Sequence, residues 1–167
     1  MKKDVFIALA AIAWADGKLD PDEADAIVRA AVDEGLALEE IAQIEAATVT
    51  YRDKPKGPEP EVSNVQGAIA IELDRSTMTK EERIFVYATA CWIARIDGVV
   101  SGEESDALRE LGKRLGVPDR ICARAELLAR EVAELPEGDR PLRYDLAKLR
   151  SLIGARLLAV GPARQVP

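Results

Sequence analysis

Apolar positions along this chain recur mostly at three- and four-residue spacing, which predicts helices. From Lys3 to Ala15 almost every residue is apolar, so this helix should be buried on all sides. A second such run lies between Lys80 and Ile96, with Ile84, Phe85, Tyr87, Ala88, Cys91, Trp92 and Ile96 as its core set. The intervening stretches are amphipathic. Pro21–Glu34 places Ala24, Ile27, Val28 and Ala31 inward and Asp22, Asp25, Arg29 and Asp33 outward. A third helix starts at Leu38 or Glu39 and buries Ile41, Ile44 and Ala47 or Thr48. Further helices are expected from Ser63 or Asn64 to Arg75, Gly102 to Leu115, Pro118 to Glu134 and Arg140 to Ala159. The last of these carries the stripe Leu142, Leu146, Leu149, Ile153 and Leu157. Valine and threonine form no alternating run bounded by turns, so no sheet is expected. The predicted fold is an all-α bundle of about seven to eight helices.

The pattern repeats. Displaced by 81 residues, Val5 meets Val86, Ile12 meets Ile93, Asp16-Gly17 meets Asp97-Gly98, Glu23 meets Glu104, and Gly35 meets Gly116. This divides residues 1–167 into one domain with a first repeat (3–48), a proline-rich connection (49–63), a second repeat (64–135) and a C-terminal helix (140–159). The connection contains Pro55, Pro58, Pro60 and Gly57 among charges. Each repeat has local reasons to fold as helix-turn-helix. Gly17 and Gly98 follow apolar helices, where glycine reaches positive φ without a Cβ clash. Three residues later come capping boxes, Asp20 with Glu23 and Ser101 with Glu104; Thr79 with Glu82 is another. Leu19 and Val100 read as buried pegs between turn and cap. The repeat predicts two hairpins related by an approximate dyad, with the two Asp-Gly corners side by side.

Composition narrows the chemistry. There is no histidine, which removes Ser-His-Asp and Cys-His catalysis and imidazole metal sites. Cys91 and Cys122 are the only thiols, too few for a disulfide framework or a structural zinc site. No phosphate-cradling glycine loop or nucleophile motif is present, so no enzyme is expected. Residues 1–62 carry 7 Lys/Arg against 14 Asp/Glu, whereas residues 63–167 carry 16 of each. The acidic half repels nucleic acid and anionic lipid, so no nucleic-acid partner is expected; a basic protein partner is. The basic group Arg109, Lys113, Arg114, Arg120 and Arg124 is interrupted by Glu110 and Asp119. Met1-Lys2-Lys3 and the apolar run after it imitate a signal peptide, but the same run recurs deep in the chain, and both are too short to span a bilayer. A cytoplasmic location is the expectation, with any membrane association peripheral and through partners.

The Asp-Gly corners resemble half of a calcium loop. With Gly17 at position 6, Asp16 stands at 5, Leu19 at 8 and Glu23 at 12; Gly98 places Asp97, Val100 and Glu104 likewise. Positions 1 and 3 are Ile12 and Trp14, then Ile93 and Arg95, so an ordinary EF-hand is excluded. Two readings stand. In one, the corners are turns and caps only. In the other, a divalent cation is held by acids from both repeats. Asp16 and Asp97 each follow a helix C-terminus, where the macrodipole disfavours a carboxylate and a compensating N–H, arginine or cation is wanted.

The segments Ala15-Asp16-Gly17-Lys18-Leu19-Asp20-Pro21-Asp22-Glu23 and Ile96-Asp97-Gly98-Val99-Val100-Ser101-Gly102-Glu103-Glu104, the latter followed by Leu115-Gly116-Val117, resemble the TerB-like family associated with bacterial tellurite resistance. The resemblance covers about residues 3–135. It implies an all-α pseudo-two-fold bundle, a role in tellurite resistance or metal stress, and acidic residues that bind a divalent cation. Carried over by position, these are Asp16, Glu23, Asp97 and Glu104. It implies no other cofactor. The alternative function is a co-chaperone-like helical scaffold that docks a basic protein without metal.

Overall fold

The computed structural model describes residues 1–15, 19–52, 75–95, 100–133 and 146–158. Among the described residues seven α-helices run α1 Lys3–Ala13, α2 Pro21–Asp33, α3 Leu38–Arg52, α4 Lys80–Ile93, α5 Gly102–Leu115, α6 Asp119–Ala133 and α7 Leu146–Ile153. A 3-10 turn at Arg75–Thr77 leads into α4, and α7 passes into a π-helical turn at Gly154–Leu158. No strand occurs among the described residues. The chain is an all-α bundle.

Two helices form its centre. In α1, Val5, Phe6 and every residue from Ala8 to Ala13 are buried; in α4, so is every residue from Ile84 to Ile93. A helix apolar on all sides finds water nowhere tolerable, so the amphipathic helices must surround it. α1 and α4 pack on each other, α1 is flanked by α2 and α3, and α4 by α5 and α6. Cross-contacts are reciprocal, α1 touching α5 and α2 touching α4. α7 lies on α4 and α6, burying Leu149 and Ile153, with Leu157 of the π turn buried beyond them.

The 81-residue spacing reappears in the helix bounds. α2 begins at Pro21 and α5 at Gly102; α3 spans Leu38–Arg52 and α6 spans Asp119–Ala133. The correspondence thus extends through a third helix. It also carries α3 four residues beyond 48, into what the proline count assigns to the connection, because Val49 to Arg52 contain no helix breaker.

Helix starts follow the capping boxes. Thr79 Oγ1 accepts from Glu82 N at 3.1 Å while Glu82 Oε2 accepts from Thr79 N at 2.7 Å. Those cap contacts hold the Glu82 carboxyl below its ordinary pKa. Helix ends at Gly35 and Gly116 adopt φ of 74° and 64°. In both, the following N–H reaches back to the helix, Leu36 N to Ala31 O at 3.2 Å and Val117 N to Gly112 O at 3.0 Å. Alanine at either glycine will cost about 1 kcal/mol for the left-handed backbone. Gly116→Ala will cost more than Gly35→Ala. Its Cβ would stand 3.2 Å from Arg75 Nη1 and 3.5 Å from Arg83 Nη1, whereas Gly35 has nothing within 4 Å. Urea unfolding of the two variants, side by side, checks the order.

Two expectations are corrected. The inward stripe of α2 is Glu23, Ala26, Ile27, Ala30 and Ala31, with Ala24 and Val28 only partly covered. α2 packs against α3, α1 and α4, and Ala26 and Ala30 are fully covered in that packing. Val100 is half-buried rather than a full peg, while Leu19 is buried. The helix expected from 63 or 64, the beginning of the C-terminal helix, Ile96 and the 161–167 tail lie outside the described residues.

Candidate metal centre

The candidate site grows from two corners. In the first, Trp14 N donates to Ala10 O at 3.1 Å and Ala15 N to Ile12 O at 2.9 Å, which close α1. Leu19 is then buried and Asp20 caps α2. In the second, Ala94 N donates to Ala90 O at 3.1 Å and Arg95 N to Trp92 O at 3.0 Å, and Ser101 caps α5. Asp16, Gly17 and Asp97, Gly98 lie outside the described residues, so two of the four expected ligands, Glu23 and Glu104, have described positions.

Those two are buried, Glu23 at 3 % and Glu104 at 4 % exposure. Each is the third residue of its helix. Glu23 Oε2 accepts from Asp20 N at 3.0 Å, and Glu104 Oε2 from Ser101 N at 2.7 Å. The reciprocal bonds are Asp22 N to Asp20 Oδ1 at 2.9 Å and Glu104 N to Ser101 Oγ at 3.0 Å. A carboxylate in the first turn is favoured by the macrodipole and the free N–H groups. That accounts for its position. Glu82, the third capping glutamate, is exposed.

Chemically, ionised carboxylates supply hard oxygen ligands of the kind calcium, magnesium and manganese take. Among the described residues no three His, Cys, Asp or Glu side chains converge as a metal-ligand group. Arg95 Nη1 donates to Cys91 O at 2.7 Å, so this guanidinium serves the end of its own helix.

Other polar groups fall outside the sequence reading. Tyr87 Oη donates to Glu126 Oε1 at 2.6 Å, across 39 residues. Cys91 and Cys122 neighbour the same tyrosine, and burial pushes both thiols up from their ordinary pKa. Glu34, at the end of α2, is half-buried. It holds the Met1 ammonium and accepts from Arg150 Nη2 at 2.8 Å. Arg150 also lies over the Phe85 ring, 4.1 Å from its centroid. Amphipathic spacing could not place these partners, because each comes from a distant element.

The architecture is thus a sheetless helical bundle with a buried capping glutamate after each of two Asp-Gly corners. The family model for tellurite resistance protein TerB matches residues 2–127, and the chain belongs to that family. The match spans α1 to α5 and the first part of α6. Comparison with curated proteins and with solved structures finds no match.

Proposed function

We propose that this TerB-family protein is a non-enzymatic helical module that binds a divalent cation through Asp16, Glu23, Asp97 and Glu104. Its role is in the cytoplasmic response to tellurite or metal stress. The observation that carries the reading is the burial of Glu23 and Glu104 at equivalent positions, 81 residues apart. Buried glutamates are paired or hydrogen-bonded; each of these accepts from its cap N–H, and a cation would add to those partners rather than replace them. The reciprocal packing of α1 on α5 and α2 on α4 supports an approximate dyad that would bring the two corners together. An all-oxygen set selects calcium, magnesium or manganese over zinc.

Calorimetric titration of the intact chain with these four ions tests it. Saturable binding is expected, weakened about 10- to 100-fold in Asp16→Asn and in Asp97→Asn. No binding at millimolar metal would overturn the proposal. A second reading has its own support, since both glutamates complete capping boxes. In that reading the corners are structural, and Asp16→Asn changes stability alone.

A further inference from the structure

α2–α3 and α5–α6, whose bounds lie 81 residues apart, differ in charge. Residues 20–45 hold nine carboxylates and one cation, whereas the same window 81 residues later, 101–126, holds six and five. In the second copy two of the six acids are paired internally. Asp106 pairs with Arg109, and Glu110 pairs with Arg114 at 3.2 Å and with Lys113 at 4.0 Å. Where those cations stand, the first copy has Val28, Val32 and Asp33. Where α6 presents Arg120, Arg124 and Arg130, α3 presents Glu39, Gln43 and Val49.

The first copy is therefore left with acids that no described residue neutralises. Asp22, Asp25, Asp33, Glu39 and Glu45 are exposed, and no ion pair among the described residues involves any of them. Glu34 and Glu40 do not belong with them. Glu34 is taken by Met1 and Arg150, and Glu40 Oε2 accepts from Ala37 N at 3.2 Å. The same corner also exposes apolar surface. Leu38 is 83 % and Val32 54 % exposed, one on either side of the α2–α3 turn. Single exposed apolar residues are ordinary, but two flanking one turn and rimmed by unpaired acid are the composition of a docking surface.

We propose that the exposed face of α2 and the start of α3 docks a lysine- or arginine-rich segment of a protein partner, with an apolar side chain of that segment seated on Val32 and Leu38. Charge complementarity selects this occupant. Unpaired carboxylates repel nucleic acid and anionic lipid and draw a cationic chain. A second molecule of this protein is a poor fit, because its α2–α3 face is equally acidic and its α5–α6 face has cations and anions nearly balanced. The surface is separate from Glu23 and Glu104, which point into the bundle, and stands whether or not a cation binds there.

The test is fluorescence anisotropy of the intact chain with a labelled synthetic helix of about 16 residues, leucine on one stripe and lysine elsewhere, at about 0.15 M salt. Saturable binding is expected, weakened about tenfold in Val32→Ser/Leu38→Ser and at least as much in Asp33→Lys/Glu39→Lys. Leu127→Ser, an exposed apolar residue of the second copy, should leave it unchanged. All these sites lie on the surface, and circular dichroism verifies that each variant is folded. Three outcomes would overturn the proposal. One is no binding. Another is equal weakening by Glu103→Lys/Asp106→Lys, which would mean attraction to net charge alone. The third is a dimer of the free chain that Val32→Ser/Leu38→Ser converts to monomer, which would give the face to a second copy.

Discussion

Trp92→Ala will cost about 3–5 kcal/mol, the largest loss expected of any single truncation in this protein. Trp92 is 1 % exposed and is the bulkiest fully buried side chain. It sits near the end of α4, the helix that touches α1, α2, α5, α6 and α7, so its cavity would be walled by several elements rather than one. Collapse around such a cavity is resisted from every side, which puts the cost at the upper end of the range. Domains of this size are stable by about 5–15 kcal/mol, so the variant should retain a folded baseline with a sharply lower midpoint. Urea unfolding followed by circular dichroism gives the value, free of the lost fluorophore. A loss below about 1 kcal/mol would mean that α4 is not the centre of the core.

The two thiols should differ in alkylation rate by at least ~10³-fold in the native protein, because Cys91 can react only when the core opens. Cys91 is 0 % exposed. Burial, and next the nearby Glu126 carboxylate, push its thiol well above the ordinary range, so the reactive thiolate is missing as well as the access. Cys122 is half-buried and is raised too, chiefly by burial, but unlike Cys91 it is partly open to solvent. Peptide mapping after timed labelling at pH 8 reads the ratio; comparable labelling of both would contradict the packing of α4 on α6. The pH dependence has a definite sign. A thiol whose pKa is raised by folding keeps its proton longer in the native state. Its contribution is whole below about pH 8.5, the ordinary thiol value, and drains as pH rises above it. Cys91→Ala should therefore flatten the alkaline loss of stability.

Much of this architecture could be read before any coordinates, and the reason is range. Asp20 with Glu23, Thr79 with Glu82 and Ser101 with Glu104 bond within one turn, so spacing alone located the starts of α2, α4 and α5. Gly35 and Gly116 close their helices through a backbone angle that belongs to glycine itself. The unbroken apolar runs of α1 and α4 similarly announced that both would be central. The face that α2 turns inward was less legible. Alanines at 24, 26, 30 and 31 spread its apolar arc widely, and packing among α1, α3 and α4 left Ala26 and Ala30 fully covered and Ala24 only partly so. Of the candidate ligands, Glu23 and Glu104 were visible as caps, but nothing local foretold their depth.

The sequence by itself determined the helices, their caps, the 81-residue correspondence and the family, because each depends on residues within a few turns of one another or on a motif. Only the tertiary structure decided which acids are spoken for. Glu34 is claimed by Met1 and by Arg150, Glu126 by Tyr87, and Glu23 and Glu104 by burial, while Asp33 and Glu39 are left to solvent. A carboxylate's neighbours in the chain do not reveal its neighbours in space, and it is the latter that set its charge environment.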